Sequence, residues 1–380
     1  MSTKILHLKG NNIEIGRSLG KFWGNYFYNL SKSKNKHSKE LSDNYKEWLQ
    51  NDEIDEKRWM LLVNMVEHYP DLFDELDGMD IGINESKIGF RTSLFGLFTC
   101  WLAETDSTFQ ECKGCSSVLL PIENGFYLAH SDEYDKQYPL VVANVSLNTT
   151  GKTAHFISIS HPFQLLGSAA GMNSNFAFQG NSIGCNEEIF EKLQRTWKKR
   201  IPKTVFTRMM LEMSGIDEIR TLYQKHTSTL PNHQYVVFRD RAYSIEVRPT
   251  ARKELIINEL EGNKTHIHSN HFLSDDSHQW AFSRGDEKRS IRRRDFLIKK
   301  MEGVKSATNV KTRFREFLNE YPPQSKNNKL IDRTSGDFFF TIRKGEQLSC
   351  QGKLYYDGTP FSISTNPKNI SLQKPRMKKP

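Results

Sequence analysis

The run Glu111-Cys112-Lys113-Gly114-Cys115-Ser116-Ser117-Val118-Leu119-Leu120 stands where the chain changes character. Upstream, the apolar residues Leu19, Phe22, Trp23, Tyr26 and Phe27 recur at spacings of three and four, the mark of one helix face. Downstream, short apolar runs separated by turn residues read as strands. Three chemistries fit the run itself. Cys112 and Cys115 form a Cys-x-x-Cys pair, which serves redox exchange or half a zinc site. A four-cysteine zinc site needs a second pair, and the sequence has none. A thioredoxin-like pair opens a helix, whereas this one leads into a strand. The plain structural alternative is small residues packed before a strand. The third is a self-cleaving nucleophile. Glycine lets the backbone bend so that the next thiol reaches the preceding carbonyl. The resulting thioester hydrolyses to leave an N-terminal cysteine. Its α-amine, with a pKa near ~8, is a base already in place for the thiol.

Working upstream, Asn11 and Asn12 cap a first helix. Lys32 to Asp55 is polar and lysine-rich, a loop or an exposed helix. Glu56 to His68 reads as a second helix, and Glu85 to Ala103 as a third, apolar almost all round. Working downstream, Gly125–His130, Leu140–Leu147 and Thr153–Ser160 read as strands, the last two joined across Asn148-Thr149-Thr150-Gly151. Asn175–Gly180, a hairpin over Tyr235–Val247, Leu255–Leu260, Phe338–Ile342 and Lys353–Tyr356 follow as strands. Arg195–Met213, interrupted by Pro202, together with Lys288–Met301 and Lys311–Glu320, are expected helices. Helices first, then many strands with a helical insertion, predict an α+β layered fold with antiparallel sheets.

Composition bounds the rest. A chain of 380 residues allows one large domain or two modest ones. The five cysteines, at 100, 112, 115, 185 and 350, are odd in number and dispersed, unlike a disulfide framework. The net charge of +9 gathers in Lys198-Lys199-Arg200, Arg292-Arg293-Arg294 and the Lys374–Lys379 tail. No nucleic-acid-binding signature accompanies them, so they read as a solvated basic surface rather than a nucleic-acid site. No run approaches the ~20 apolar residues of a membrane span. Met-Ser-Thr-Lys-Ile-Leu-His lacks the apolar core of a secretion signal, and a cytoplasmic location is expected.

Beyond Cys115, further motifs follow in order. Phe126-Tyr127-Leu128-Ala129 runs into His130-Ser131-Asp132. Gly171-Met172-Asn173-Ser174-Asn175 leads to Gly180-Asn181-Ser182, His268-Ser269-Asn270-His271 comes next, and Ser290-Ile291-Arg292-Arg293-Arg294 is last. With the opening Leu8 to Gly20, this ordered set resembles the branch of N-terminal-nucleophile (Ntn) hydrolases that contains isopenicillin-N acyltransferase and carcinine hydrolase, relatives of choloylglycine hydrolase. The resemblance runs from residue 8 to about 300. It implies a four-layer αββα sandwich with two antiparallel sheets. Residues 1–114 would be a helical propiece, the α subunit after self-cleavage, and 115–380 the β subunit, the two remaining associated.

The resemblance also implies roles. Cys115 matches the nucleophile and new N-terminus, and Gly114 and Ser117 match residues of processing. Asp132 matches the aspartate that holds the α-amine, Asn181 the oxyanion donor and Asn270 a second active-site asparagine. The late arginine falls on Arg293, with Arg284 competing. The implied reaction cleaves a linear amide through an acyl-thioester on Cys115, passing the acyl group to water or an amine. The expected partner is a small amide or acyl donor, and neither cofactor nor metal is expected. Two positions depart from the family pattern: His130-Ser131 replaces the usual Asn-Trp, and Asn175 replaces a turn glycine, a substitution that asparagine's tolerance of left-handed backbone would accommodate. A rival reading takes His266, His268 and His271, with Asp275 and Asp276 nearby, as a zinc hydrolase site, although Asn270 stands where that pattern needs aspartate. A silent relative that only binds a ligand would carry the same motifs.

Overall fold

The computed structural model describes residues 5–102, 114–133, 137–185, 187–249, 254–273, 284–321 and 330–365. The chain opens with strand β1 (Leu6–Gly10) and helices α1 (Asn12–Ser31), α2 (Lys36–Gln50), α3 (Glu56–His68), α4 (Pro70–Asn84) and α5 (Leu94–Trp101). Strands β2 (Gly114–Ile122), β3 (Gly125–Glu133), β4 (Val141–Thr149), β5 (Lys152–Ser160), β6 (Ala170–Asn173) and β7 (Phe176–Ser182) come next. Helix α6 (Glu187–Arg195), β8 (Arg200–Ile201), α7 (Lys203–Met210), α8 (Ile216–Lys225) and β9 (Thr227–Ser228) form the insertion. The chain continues with β10 (Asn232–Phe238), β11 (Ala242–Val247), β12 (Leu255–Glu259), β13 (His266–His268), α9 (Arg284–Met301), α10 (Ala307–Glu320), β14 (Thr334–Arg343), β15 (Ser349–Leu354) and β16 (Thr359–Ser364).

The result is a mixed α+β protein with two main sheets. One has eight strands in the order β1-β4-β5-β6-β7-β10-β11-β12, and the other six in the order β13-β2-β3-β14-β15-β16. Every pairing in them is antiparallel except β1 with β4. Alternation of side chains along each strand sorts the apolar residues into separate cores. Leu119, Leu128, Phe338 and Phe340 of the six-stranded sheet share a core with Ile157, Ala177, Tyr235 and Val237 of the eight-stranded one. Val145, Phe178 and Val236 pack instead with the N-terminal helices. Val118, Tyr127 and Phe339 pack with Leu297 of α9 and Phe314 of α10.

The N-terminal segment is stitched into this body. Asn11 caps α1 in a capping box with Glu14. Gly16 and Gly20 of α1 face Gly78 and Gly82 of α4 at backbone contact. A Cβ at Gly20 would lie 2.1 Å from Met79 O, and one at Gly82 2.0 Å from Arg17 O. Only glycine permits that approach. Arg208 of α7, fully buried, donates from Nε to Glu75 of α4 at 2.9 Å and from Nη2 to Asn12 at 3.3 Å.

Several boundaries differ from the sequence reading. The apolar helix expected over 85–103 is only Leu94–Trp101. Gly89, at φ 81, and the Ser93 cap separate it from α4, which Pro70 starts. The helix expected over 195–213 is only Lys203–Met210: the preceding helix ends at Arg195, Arg200–Ile201 is a short strand, and Pro202 stands at the cap of the later helix rather than inside it. The turn at Asn175 needs no left-handed residue, because Asn173 Oδ1 accepts the backbone N–H groups of Asn175 and Phe176 at 2.8 and 3.2 Å.

Candidate active site

Strand β2 opens with Gly114 and Cys115, paired with Glu133 and Asp132 of β3. The twofold alternation of strands divides the four. Cys115 and Asp132 share the face that carries Leu119 and Leu128 into the inter-sheet core. Gly114, Ser116, Ser131 and Glu133 share the opposite face.

Cys115 is buried. Its backbone N–H donates to Asn270 Oδ1 at 2.7 Å, and its carbonyl accepts from Arg293 Nη2 at 3.3 Å. Arg293 Nη2 also reaches Asn270 Oδ1. The thiol lies 3.8 Å from Asp132 Oδ1, and Asp132 Oδ2 is 2.6 Å from His161 Nε2. Burial pushes the Cys115 thiol far above the ordinary range; the Asp132 and Glu133 carboxylates add to the rise, and Lys203 and Arg293 oppose it. The thiol is therefore held protonated near pH 7.

On the other face Glu133, buried, accepts from Ser116 Oγ at 2.8 Å and Ser131 Oγ at 2.6 Å, and pairs with Arg293 Nη1 at 3.2 Å. This ion pair lies against Gly114. A Cβ there would come within 2.5 Å of Arg293 Nη1 and 2.7 Å of Glu133 Oε2. A side chain at the position before Cys115 would thus require the Arg293–Glu133 pair to shift.

Below the thiol a hydrogen-bond chain crosses between the sheets. Ser117 Oγ donates to Asn181 Oδ1 at 2.9 Å, and so accepts from His130 Nδ1 at 3.0 Å. Asn181 Nδ2 donates to Ser269 O at 2.9 Å and to His268 Nδ1 at 3.1 Å. Burial lowers His130 to about 4, so its ring is neutral near pH 7.

The structure brings Gly114, Cys115, Ser117, Asp132, Asn181, Asn270 and Arg293 into this one cluster. Asp132, expected at the nitrogen of Cys115, has its closest approach to the thiol, and Asn270 holds the nitrogen. Asn181, expected at an oxyanion, has both amide hydrogens on neighbouring groups. Cys112, Asp275, Asp276 and the Arg284 side chain lie outside the described residues. Glu133 and His161 escaped the sequence reading, and Ser290, which it quoted in a motif without a role, accepts the Asn270 N–H on its Oγ at 2.8 Å. A signal existed for His161: it continues the alternation Ile157, Ile159 into the inter-sheet face.

The histidine cluster does not assemble as a metal site. His266 Nε2 is 3.0 Å from Glu261 O, and His268 is stacked on His233 with ring centroids 3.5 Å apart. Among the described residues no group of three or more His, Cys, Asp or Glu is placed to hold a metal ion. Nor, among them, is any helix long and apolar enough to cross a membrane.

Two antiparallel-rich sheets with a shared core thus hold a buried cysteine beside a carboxylate, an asparagine and an arginine. The chain belongs to the acyl-coenzyme A:6-aminopenicillanic acid acyl-transferase family, whose model matches residues 124–335, more than half of its length. The matched segment contains Asp132, Asn181, Asn270 and Arg293 and begins just after Cys115. A comparison with curated proteins returned no significant match.

Proposed function

We propose that the chain is a self-processing Ntn acyltransferase or amide hydrolase with Cys115 as nucleophile. The observation that carries the reading is the setting of Cys115. It follows a glycine packed against the Glu133–Arg293 pair, its nitrogen is on Asn270, and its thiol is beside Asp132. The arrangement of the apolar cores supports the four-layer αββα architecture. The stitching of β1 and α1–α4 into the body supports a 1–114 fragment that stays bound to 115–380.

In processing, the Cys115 thiol attacks the Gly114 carbonyl carbon and gives up its proton. The Gly114–Cys115 C–N bond breaks, the departing nitrogen is protonated, and the Gly114 acyl group is left on Sγ as a thioester. Water hydrolyses that ester to the Gly114 carboxylate and restores the thiol. The freed α-amine then accepts the thiol proton when a substrate binds. Sγ attacks the substrate acyl carbon, the leaving group takes the proton, and the acyl group passes from Cys115 to water or to an amine. Asn181 stabilises the oxyanion with the hydrogen now directed at His268. Asn270 and Arg293 hold the main chain of Cys115, and Ser117 serves processing through its bond to Asn181. The family description, an acyl-coenzyme A donor and an amine acceptor, supports a small acyl donor as substrate. The test is the mass of purified protein, with the first residue of its larger fragment.

A further inference from the structure

One buried imidazole beside Asp132 is absorbed by neither the motifs nor the scheme above. His161 follows β5 and is 5% exposed. Its Nε2 meets Asp132 Oδ2 at 2.6 Å, and its Nδ1 lies 3.2 Å from Ser168 Oγ. That hydroxyl already accepts the His161 backbone N–H at 3.0 Å. Its own hydrogen is left to donate, which favours Nδ1 as acceptor and puts the ring proton on Nε2, facing Asp132. A carboxylate with one oxygen locked on an N–H cannot swing, so its other oxygen stays at the thiol.

The loop that bears His161 is anchored in its turn. Phe163 has φ 55, a backbone that bulky residues keep only where their surroundings hold them. Its ring centroid is 6.1 Å from Trp23, 5.0 Å from Phe27 and 5.3 Å from Tyr45, all on α1 and α2. The N-terminal helices thus grip a residue two positions from His161.

We infer that His161 is the positioning residue that fixes Asp132 beside the Cys115 thiol, and that the N-terminal helices hold His161 there through the Phe163 ring. The consequence for catalysis rests on Cys115 being the nucleophile; the placement itself does not. On this account the N-terminal segment is a standing part of the site after cleavage.

The test uses the full chain made by cell-free synthesis, with appearance of the 115–380 fragment timed by intact mass. His161→Leu keeps bulk and loses the donor, whereas His161→Gln keeps an N–H of similar reach. Loss of a buried hydrogen bond to a charged group predicts cleavage at least about tenfold slower in His161→Leu. Recovery to within about threefold is expected in His161→Gln, since a conservative donor restores the bond. Cleavage of folded His161→Leu at the wild-type rate overturns the inference while leaving Cys115 intact as nucleophile, as does a Gln variant no faster than the Leu one. Should His161→Leu fail to fold, Ser168→Ala carries the test, and an unchanged rate there overturns it. Imidazole ¹⁵N spectra of the histidine-labelled chain supply a second readout. The account expects an Nε2–H tautomer for His161, assigned by its loss in His161→Gln, and its broadening in Phe163→Ala. An Nδ1–H tautomer, or a spectrum untouched by Phe163→Ala, contradicts it. A wild-type chain that is never cut sinks the functional reading instead, and the imidazole spectrum alone then decides the placement.

Discussion

Asp132 stands between Cys115 and His161, with one carboxylate oxygen 3.8 Å from the thiol and the other 2.6 Å from the imidazole Nε2. The geometry ties the reactivity of the thiol to a carboxylate that is itself held. In the uncut chain, burial and that carboxylate raise the thiol. Cleavage would set an α-amine on the same residue, a base with pKa near ~8. Iodoacetamide should therefore alkylate Cys115 faster at pH 7 in cut protein than in chain trapped uncut. Selective acetylation of the new α-amine should abolish turnover, while His130→Gln, His268→Gln and His271→Gln each keep substantial turnover. Full turnover with the amine blocked would mean that another base serves the thiol.

Asn181 joins three neighbours through one carboxamide. Replacing it with Ala should cost ~10²–10³ in rate if it serves the oxyanion. The orphaned partners should also lower stability by about 1–3 kcal/mol. Turnover and urea denaturation of the same preparation separate the effects. Loss of stability with unchanged turnover would leave Asn181 a purely structural link.

The Gly114 position offers a sharper steric test. A methyl there collides with the Arg293–Glu133 pair. Gly114→Ala should slow self-cleavage by about tenfold or more, the effect of ~1.4 kcal/mol on the barrier. Timed intact mass checks this, and wild-type cleavage kinetics would show that the pair yields freely.

Arg208 links the N-terminal segment to the rest through Glu75, both fully buried. Removing one partner leaves a buried charge uncompensated, so Arg208→Ala should destabilise by about 3–5 kcal/mol. In cut protein, the same change should lower the denaturant concentration at which the fragments separate on a sizing column.

Acid should destabilise the fold through its buried imidazoles. Burial lowers His130 and His271 to about 4 and His233 to about 3. In the unfolded chain these groups titrate near ~6.5, so below that pH the unfolded state binds more protons. Their contribution is complete above ~6.5 and is lost as pH falls through about 4. The urea midpoint should drop between pH 7 and pH 5, and the drop should be smaller in His233→Phe.

How much of this was legible in the sequence depended on periodicity and on order. The strands around Asp132 and Asn181 alternate clearly, and the motifs come in sequence from Cys115 to Arg293. Helix boundaries were less legible where tertiary contacts decide them, as at Gly89 and Pro202. Strand β1 is too short to announce itself and exists by pairing with β4. Glu133 was hidden because it follows Asp132 directly, and only strand alternation sends it to the other face, against Arg293. The partnership of His161 with Asp132 spans different sheets, a relationship no local pattern encodes.

The central claim is that Cys115 cuts its own chain and becomes the N-terminal nucleophile. Intact mass with N-terminal sequencing of purified protein, set beside Cys115→Ala, tests it most directly. The account predicts two associated fragments, the larger beginning Cys-Ser-Ser-Val, and an uncut, inactive Cys115→Ala chain. A fully active protein that remains a single chain, or a Cys115→Ala variant that is still cut after Gly114, would contradict it.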